Sequence, residues 1–184
     1  MTRYGTLFGI GVGPGDPDLI TLKAVKTLQK VDVVFAAASS KNEASLALSI
    51  AAPHLRPEAQ VLRLDFPMTR DQAVLDRAWR ANADSVAAVL AQGKSAAFLT
   101  LGDPLTYSTF GYLLRTLNGL LAEIPVAVVP GITSYQAAAA HTGRVLVESG
   151  ESLAVVSGVA PEAELEAVLG AAQAAVILKA YKNM

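Results

Sequence analysis

The chain has 184 residues, of which 15 are basic and 16 acidic, and its net charge is −1; hydrophobic residues make up 52%. That composition describes a core-rich globular protein of one domain or two small ones and excludes a disordered chain. The near-zero charge disfavours electrostatic capture of nucleic acid, and the lack of cysteine rules out disulfides, thiolate metal sites and cysteine nucleophiles.

Short apolar runs alternate with longer amphipathic stretches. Residues 6–13 read as a buried strand and 16–30 as a helix, with Asp16 as N-cap and Pro17 in the first helical position. Leu19, Leu22, Val25 and Leu28 fall every three residues and give that helix one apolar face. A strand over 31–37 follows, then a helix over 44–55 that Pro53 caps, ends or kinks, then a strand over 61–66. The clearest helix covers 71–93: Leu75, Ala78, Trp79, Val86, Val89 and Leu90 line one side, and Gly93 stops it. Further strands are expected over 95–101, 125–129, 152–158 and 174–181, with helices over 111–121, 134–143 and 161–173 between them.

Strands that alternate with helices and are apolar at consecutive positions predict an α/β fold with a mostly parallel sheet and helices on both faces. In such sheets ligands bind beyond the carboxyl ends of the strands. That rule selects the loops at 11–16, 38–43, 102–109 and 130–134. The chain is expected to divide into a first domain over 1–122 and a second over 123–184. With only two clear strands in the second, that domain is expected to be C-terminally incomplete.

The stretch GIGVGPGDPD, residues 9–18, carries four glycines after a strand. Its spacing breaks the dinucleotide fingerprint, since Pro14 and Asp16 stand where glycine is needed, and no Gly-Lys-Ser/Thr follows for a P-loop. A tight turn before a capped helix and a ligand-facing loop both remain open for it. In LTLGDPLTYST, residues 99–109, Gly102 ends the strand, and Pro104 pushes Asp103 out of the α region. The Asp103 carboxylate then accepts either from backbone N–H groups or from a ligand amine or hydroxyl. Thr106, Tyr107, Ser108 and Thr109 add more hydroxyls than a turn needs, which favours a ligand. VVPGITS, residues 128–134, repeats the plan, with Thr133 or Ser134 as an ordinary N-cap in its simplest reading.

His54 and His141 read as helix-end residues too far apart in sequence for a zinc site, Trp79 as core, and Lys179 as a snorkelling strand-end side chain. No Ser-His-Asp trio or carboxylate pair is legible. The N-terminal stretch lacks the pattern of a signal peptide, and no apolar run is long enough to span a bilayer, so a cytoplasmic protein without a membrane partner is expected.

In order, type and spacing, GIGVGPGDPDLITLKAVKTLQKVDVVF, LTLGDPLTYST and VVPGITSYQAAAA, completed by VILKAY, resemble the tetrapyrrole methylase family. ASSKNEASLALSIA, LDFPMTRD and GDPLTYSTFGYLL are most similar to its branch that methylates C-20 of precorrin-2 or cobalt-factor II in cobalamin biosynthesis. The resemblance implies two α/β domains, a homodimer, a tetrapyrrole substrate, and S-adenosylmethionine between the domains, released as S-adenosylhomocysteine. It implies cofactor contacts at Pro14, Leu101, Gly102, Asp103, Thr106, Thr133, Ser134, Lys179 and Ala180. It also turns Gly13, Gly15, Asp16 and Tyr107 towards the tetrapyrrole. No metal is implied, and no catalytic nucleophile, because the methyl group is already electrophilic; Asp103 and Tyr107 are candidate proton acceptors.

Rival readings are a methylase of the same fold acting on another tetrapyrrole carbon, on ribosomal RNA or on diphthine intermediates. A nicotinamide-dependent oxidoreductase is disfavoured by the broken glycine spacing. A non-catalytic ligand-binding module is a third class.

Overall fold

The computed structural model describes residues 4–38, 45–121 and 123–180. Its chain divides into two units, residues 1–134 and 135–184.

The first unit is built on a five-stranded sheet of β1 (Leu7–Gly11), β2 (Val33–Ala38), β3 (Gln60–Asp65), β4 (Ala96–Thr100) and β5 (Val126–Val129). The spatial order is β3-β2-β4-β1-β5, and every pairing is parallel. The inner strands β1, β2 and β4 read as near-continuous apolar runs because both faces are covered, whereas edge strand β3 carries polar residues and is mostly exposed. Alternation still sorts their side chains. Leu7, Val33, Phe35, Ala96 and Phe98 enter one core with Phe110, Leu113 and Leu117, whereas Ile10, Val34, Ala97 and Leu99 enter the other with Ala24, Leu28 and Ile50.

The first core is closed by α3 (Gln72–Ala91) and α4 (Phe110–Asn118), the second by α1 (Leu22–Leu28) and α2 (Leu46–Ala51). Each of the three helices before the fourth strand starts on a side-chain cap. Thr21 Oγ1 accepts from Ala24 N at 3.2 Å, Ser45 Oγ from Leu48 N at 3.4 Å, and Asp71 Oδ1 from Ala73 N at 2.9 Å. Pro53 lies in a 3-10 turn over Ala52–His54 that ends α2.

The helix expected over 16–30 is two pieces. Asp16 caps only a 3-10 turn, Pro17–Leu19, by accepting from Asp18 N at 2.9 Å. The backbone is then extended at Ile20, and Thr21 starts α1 afresh. The restart resets the helical phase, so Ala24 and Leu28 are buried while Leu22, expected on the apolar face, is 77% exposed.

The expected boundary at residue 122 is corrected by the sheet. β5, assigned from sequence to the second domain, pairs with β1 along Leu7↔Val126 to Ile10↔Val129, and its hydrogen bonds belong to the first unit.

The second unit carries α5 (Ser134–Thr142, whose first residue closes the first unit), β6 (Leu153–Ser157), α6 (Glu162–Ala171) and β7 (Ala174–Leu178). β6 and β7 form a parallel pair from Leu153↔Ala174 to Ser157↔Leu178. Among the described residues every buried apolar side chain lies at or before Val129.

Candidate functional site

The order β4-β1-β5 sets the carboxyl ends of three adjacent strands side by side, and so gathers the loops at 11–16, 101–109 and 130–134. Backbone hydrogen bonds stitch the first two together: Val12 N donates to Thr100 O at 3.0 Å, and Gly102 N to Gly13 O at 2.7 Å. Gly13 and Gly102 form an isolated antiparallel bridge. Buried Thr100 adds a side-chain tie, its Oγ1 donating to Ile10 O at 3.3 Å.

Glycine is obligatory at the junction because backbone meets backbone there. A methyl group at Gly131 would overlap the Gly102 carbonyl oxygen and lie 2.8 Å from Gly11 Cα. One at Gly11 would lie 2.6 Å from Gly131 N. Gly102 itself takes φ +69°, the left-handed conformation that turns the chain sharply out of β4.

Asp103 joins two of the loops. Its Oδ1 accepts from Leu105 N at 2.9 Å and from Thr106 Oγ1 at 3.4 Å; its Oδ2 accepts from Gly131 N at 3.2 Å, across 28 positions of sequence. Both carboxylate oxygens therefore face loop donors. Of the two roles open to this carboxylate in the sequence, the structure shows the backbone one.

The hydroxyls that follow divide their work. Ser108 Oγ accepts from Phe110 N at 3.1 Å and opens α4, and the Thr109 carbonyl accepts from Tyr112 N and Leu113 N. Tyr107 takes φ +49°, rare for a residue with a side chain, and is 46% exposed. Leu101 and Leu105 stand out beside it, 46% and 66% exposed.

A cavity of about 360 Å³ opens next to this loop at the carboxyl ends of β2 and β4. Met68, Leu101, Tyr107, Ser108 and Thr109 are among its lining residues, with Phe66 and Leu99 supplying apolar wall. Its size suits a small organic ligand. Of the loop expected at 38–43, residues 39–43 lie outside the described residues; Ala38 and Ser45, on either side of the gap, line this cavity.

The sequence-derived residues thus fall into two groups. Gly13, Pro14, Gly15, Asp16, Leu101, Gly102, Asp103, Thr106, Tyr107, Thr133 and Ser134 belong to the three loops of the first unit. Thr133 is buried at their edge and Ser134 is exposed as the first residue of α5. Lys179 and Ala180 belong to the second unit. Lys179 takes φ +59°, and Ala180 lies so close to Gly158 that a Cβ there would come within 2.9 Å of the Ala180 Cα. Sequence reasoning passed over Gly11 and Gly131 as a matched pair, and over Met68. A visible signal for Met68 was an apolar residue just beyond the end of strand β3; it is 68% exposed.

No group of three or more potential metal ligands occurs among the described residues.

A family model described as Tetrapyrrole (Corrin/Porphyrin) Methylases matches residues 6–184. The cobalt-precorrin-2 C(20)-methyltransferase of Salmonella typhimurium is 37% identical over 177 residues, which is 96% of this chain and 73% of that protein. The precorrin-2 C(20)-methyltransferase of a Sinorhizobium species is 37% identical over 191 residues, or 98% of this chain and 75% of that protein. Among solved structures, uroporphyrin-III C-methyl transferase from Thermus thermophilus, complexed with S-adenyl homocysteine, superposes with a TM-score of 0.56 at 26% identity. The match covers 85% of this chain and 57% of that one.

Proposed function

Since the chain belongs to the tetrapyrrole methylase family, we propose that it transfers a methyl group from S-adenosylmethionine to C-20 of precorrin-2 or cobalt-factor II, a step of cobalamin biosynthesis. The observation that carries this reading is the three-loop junction at the carboxyl ends of β4, β1 and β5. Similarity over 96% and 98% of this chain to two C(20)-methyltransferases supports the choice of substrate.

The junction fits a cofactor that is part nucleoside and part amino acid. Gly11 and Gly131 lock the loops backbone to backbone, whereas a Cβ at Gly102 would meet nothing closer than 4.0 Å, so a ligand can approach the backbone on that side. Leu101 offers an exposed apolar surface for a ring, and the Thr106 and Ser134 hydroxyls and the loop amides offer polar contacts. Gly102, Asp103, Thr106, Thr133 and Ser134 would hold the cofactor, with Pro14 on the neighbouring loop, and the family resemblance adds Lys179 and Ala180. Asp103 also fixes the loops through its bonds to Leu105 N and Gly131 N.

S-adenosylmethionine supplies a methyl group made electrophilic by its sulfonium. The protein's task is placement. An electron-rich tetrapyrrole carbon needs no nucleophile from the chain, and holding two reactants in line supplies about 7–11 kcal/mol. Phe66, Met68, Leu99 and Leu101 give the cavity beside the loop an apolar wall against which a bound ligand would displace water, strengthening the polar contacts it makes there. Gly13, Gly15, Asp16 and Tyr107 line the substrate side in this reading, and Asp16 and Tyr107 are the polar groups among them. We further read the enzyme as a cytoplasmic homodimer on its family resemblance; no described helix is long and apolar enough to cross a membrane.

The test is a calorimetric titration with S-adenosylhomocysteine followed by turnover on precorrin-2, with the product's methylated carbon located by NMR. Binding and a C-20 methyl group are expected. A methyl group on another carbon would move the chain to a different branch of the family, and no binding would overturn the reading.

A further inference from the structure

A second cavity, of about 560 Å³, lies away from the strand-end loops, at the opposite end of the sheet. Its walls come from the residues that precede strands: Thr6 before β1, Val31 before β2 and Ser95 before β4. Phe8 adds an aromatic surface, and α1 contributes Lys23, Lys26 and Thr27, with Lys30 from the turn that follows the helix. A five-residue strand spans roughly 15 Å, so this cavity and the loop junction lie at separate ends of β1 and β4.

The three lysines are the unexplained feature. Lys23 and Lys26 sit at i and i+3 on α1, Lys30 lies in the turn just beyond its end, and all three line the same cavity, so their like charges repel one another there. The ion pairs among the described residues are Arg56–Asp32 and Arg80–Asp84, and neither relieves them. No acid lines the cavity among the described residues, and Asp32, next in sequence to its lining residue Val31, already accepts from Ser95 N, Ser95 Oγ and Arg56. The helix dipole accounts for a cation at the end of α1 but runs against Lys23 in its first turn. Charge repulsion of this kind, placed over an apolar floor of Phe8 and Val31, is relieved by a ligand of opposite sign.

We propose that this cavity is a second binding site for a multivalent anion carrying a flat apolar ring. The three ammonium groups take its anionic groups, and Phe8 takes the ring face. Polycarboxylate tetrapyrroles and nucleoside phosphates share that chemistry. The proposal is independent of the methylation reading.

The intact chain is titrated with uroporphyrin, with ATP and with inorganic pyrophosphate, each with and without excess S-adenosylhomocysteine. One of the two ring anions is expected to bind more tightly than pyrophosphate and to resist displacement by S-adenosylhomocysteine. Which one binds identifies carboxylate or phosphate as the source. Lys26→Gln/Lys30→Gln, which removes exposed charges only, is expected to weaken that binding at least roughly tenfold, the effect of losing one charge-assisted contact. Phe8→Leu is expected to weaken the ring anions but not pyrophosphate. Equal binding of ring anions and pyrophosphate, wild-type affinity in the double variant, or displacement by S-adenosylhomocysteine would each overturn the site. Failure of S-adenosylhomocysteine itself to bind bears only on the methylation reading.

Discussion

Asp103 is the residue whose replacement discriminates most sharply among roles. Its carboxylate accepts from Leu105 N at 2.9 Å, Gly131 N at 3.2 Å and Thr106 Oγ1 at 3.4 Å. A hydrogen bond contributes about 0.5–1.5 kcal/mol net, and solvent exposure at Leu105 and the long Thr106 contact keep these three near the low end. Asp103→Ala strips all three and leaves the Gly131 N–H without its carboxylate acceptor, so a loss of about 2 kcal/mol is expected. For a chain of this length that lowers Tm by roughly 4–8 °C. Asp103→Asn keeps an oxygen for Leu105 N while its amide nitrogen cannot accept from Gly131 N, so about half the loss is expected. The single tryptophan, Trp79, lies on α3 of the same unit and reports urea unfolding by fluorescence. Affinity for S-adenosylhomocysteine, measured in parallel, is expected to fall with stability, and Asp103→Asn to fall between wild type and Asp103→Ala in both. An Asp103→Ala protein with wild-type stability and no affinity would refute the loop-tie argument and make the carboxylate a direct ligand contact.

Gly131→Ala is expected to cost about 1–3 kcal/mol by overpacking and to impair cofactor binding more than Gly170→Ala, where a Cβ meets open space; urea titration and calorimetry check both. Phe110→Ala empties a fully buried position that packs on Phe98 at 5.9 Å and over Gly9, so a loss of about 3–5 kcal/mol is expected in urea unfolding. The Asp32 carboxyl is held below its ordinary value of 3.8, chiefly by the Ser95 hydroxyl and also by Ser95 N–H and Arg56. A depressed carboxyl stabilises the fold while it is ionised. The stability gap between wild type and Asp32→Asn is therefore expected to stay constant near neutral pH and to close as pH falls below about 3.8 through the native value. A gap that widens in acid would refute the assignment.

The alternation of strands and helices was legible because its signals are local. Asp71 before an amphipathic stretch, Pro53 at a helix end and Gly93 with φ +74° after α3 act over a few residues, and each is read correctly from sequence. The glycine turns and hydroxyls of 102–109 were legible for the same reason. The helix over 16–30 was misread because a three-residue repeat of Leu19, Leu22, Val25 and Leu28 continues across the break at Ile20; a new cap at Thr21 outweighed the pattern.

The sequence by itself determined that this protein is a two-sided α/β structure whose polar, glycine-rich turns follow buried strands. Only the tertiary structure decided which turns meet. Strands buried on both faces carry apolar residues throughout, so their composition does not say which neighbour each will take. The order β3-β2-β4-β1-β5 is a choice among hydrogen-bonded ladders between segments up to about a hundred residues apart. That choice moved β5 into the first sheet, set Gly11, Gly102 and Gly131 backbone to backbone, and gave Asp103 its partner 28 positions away.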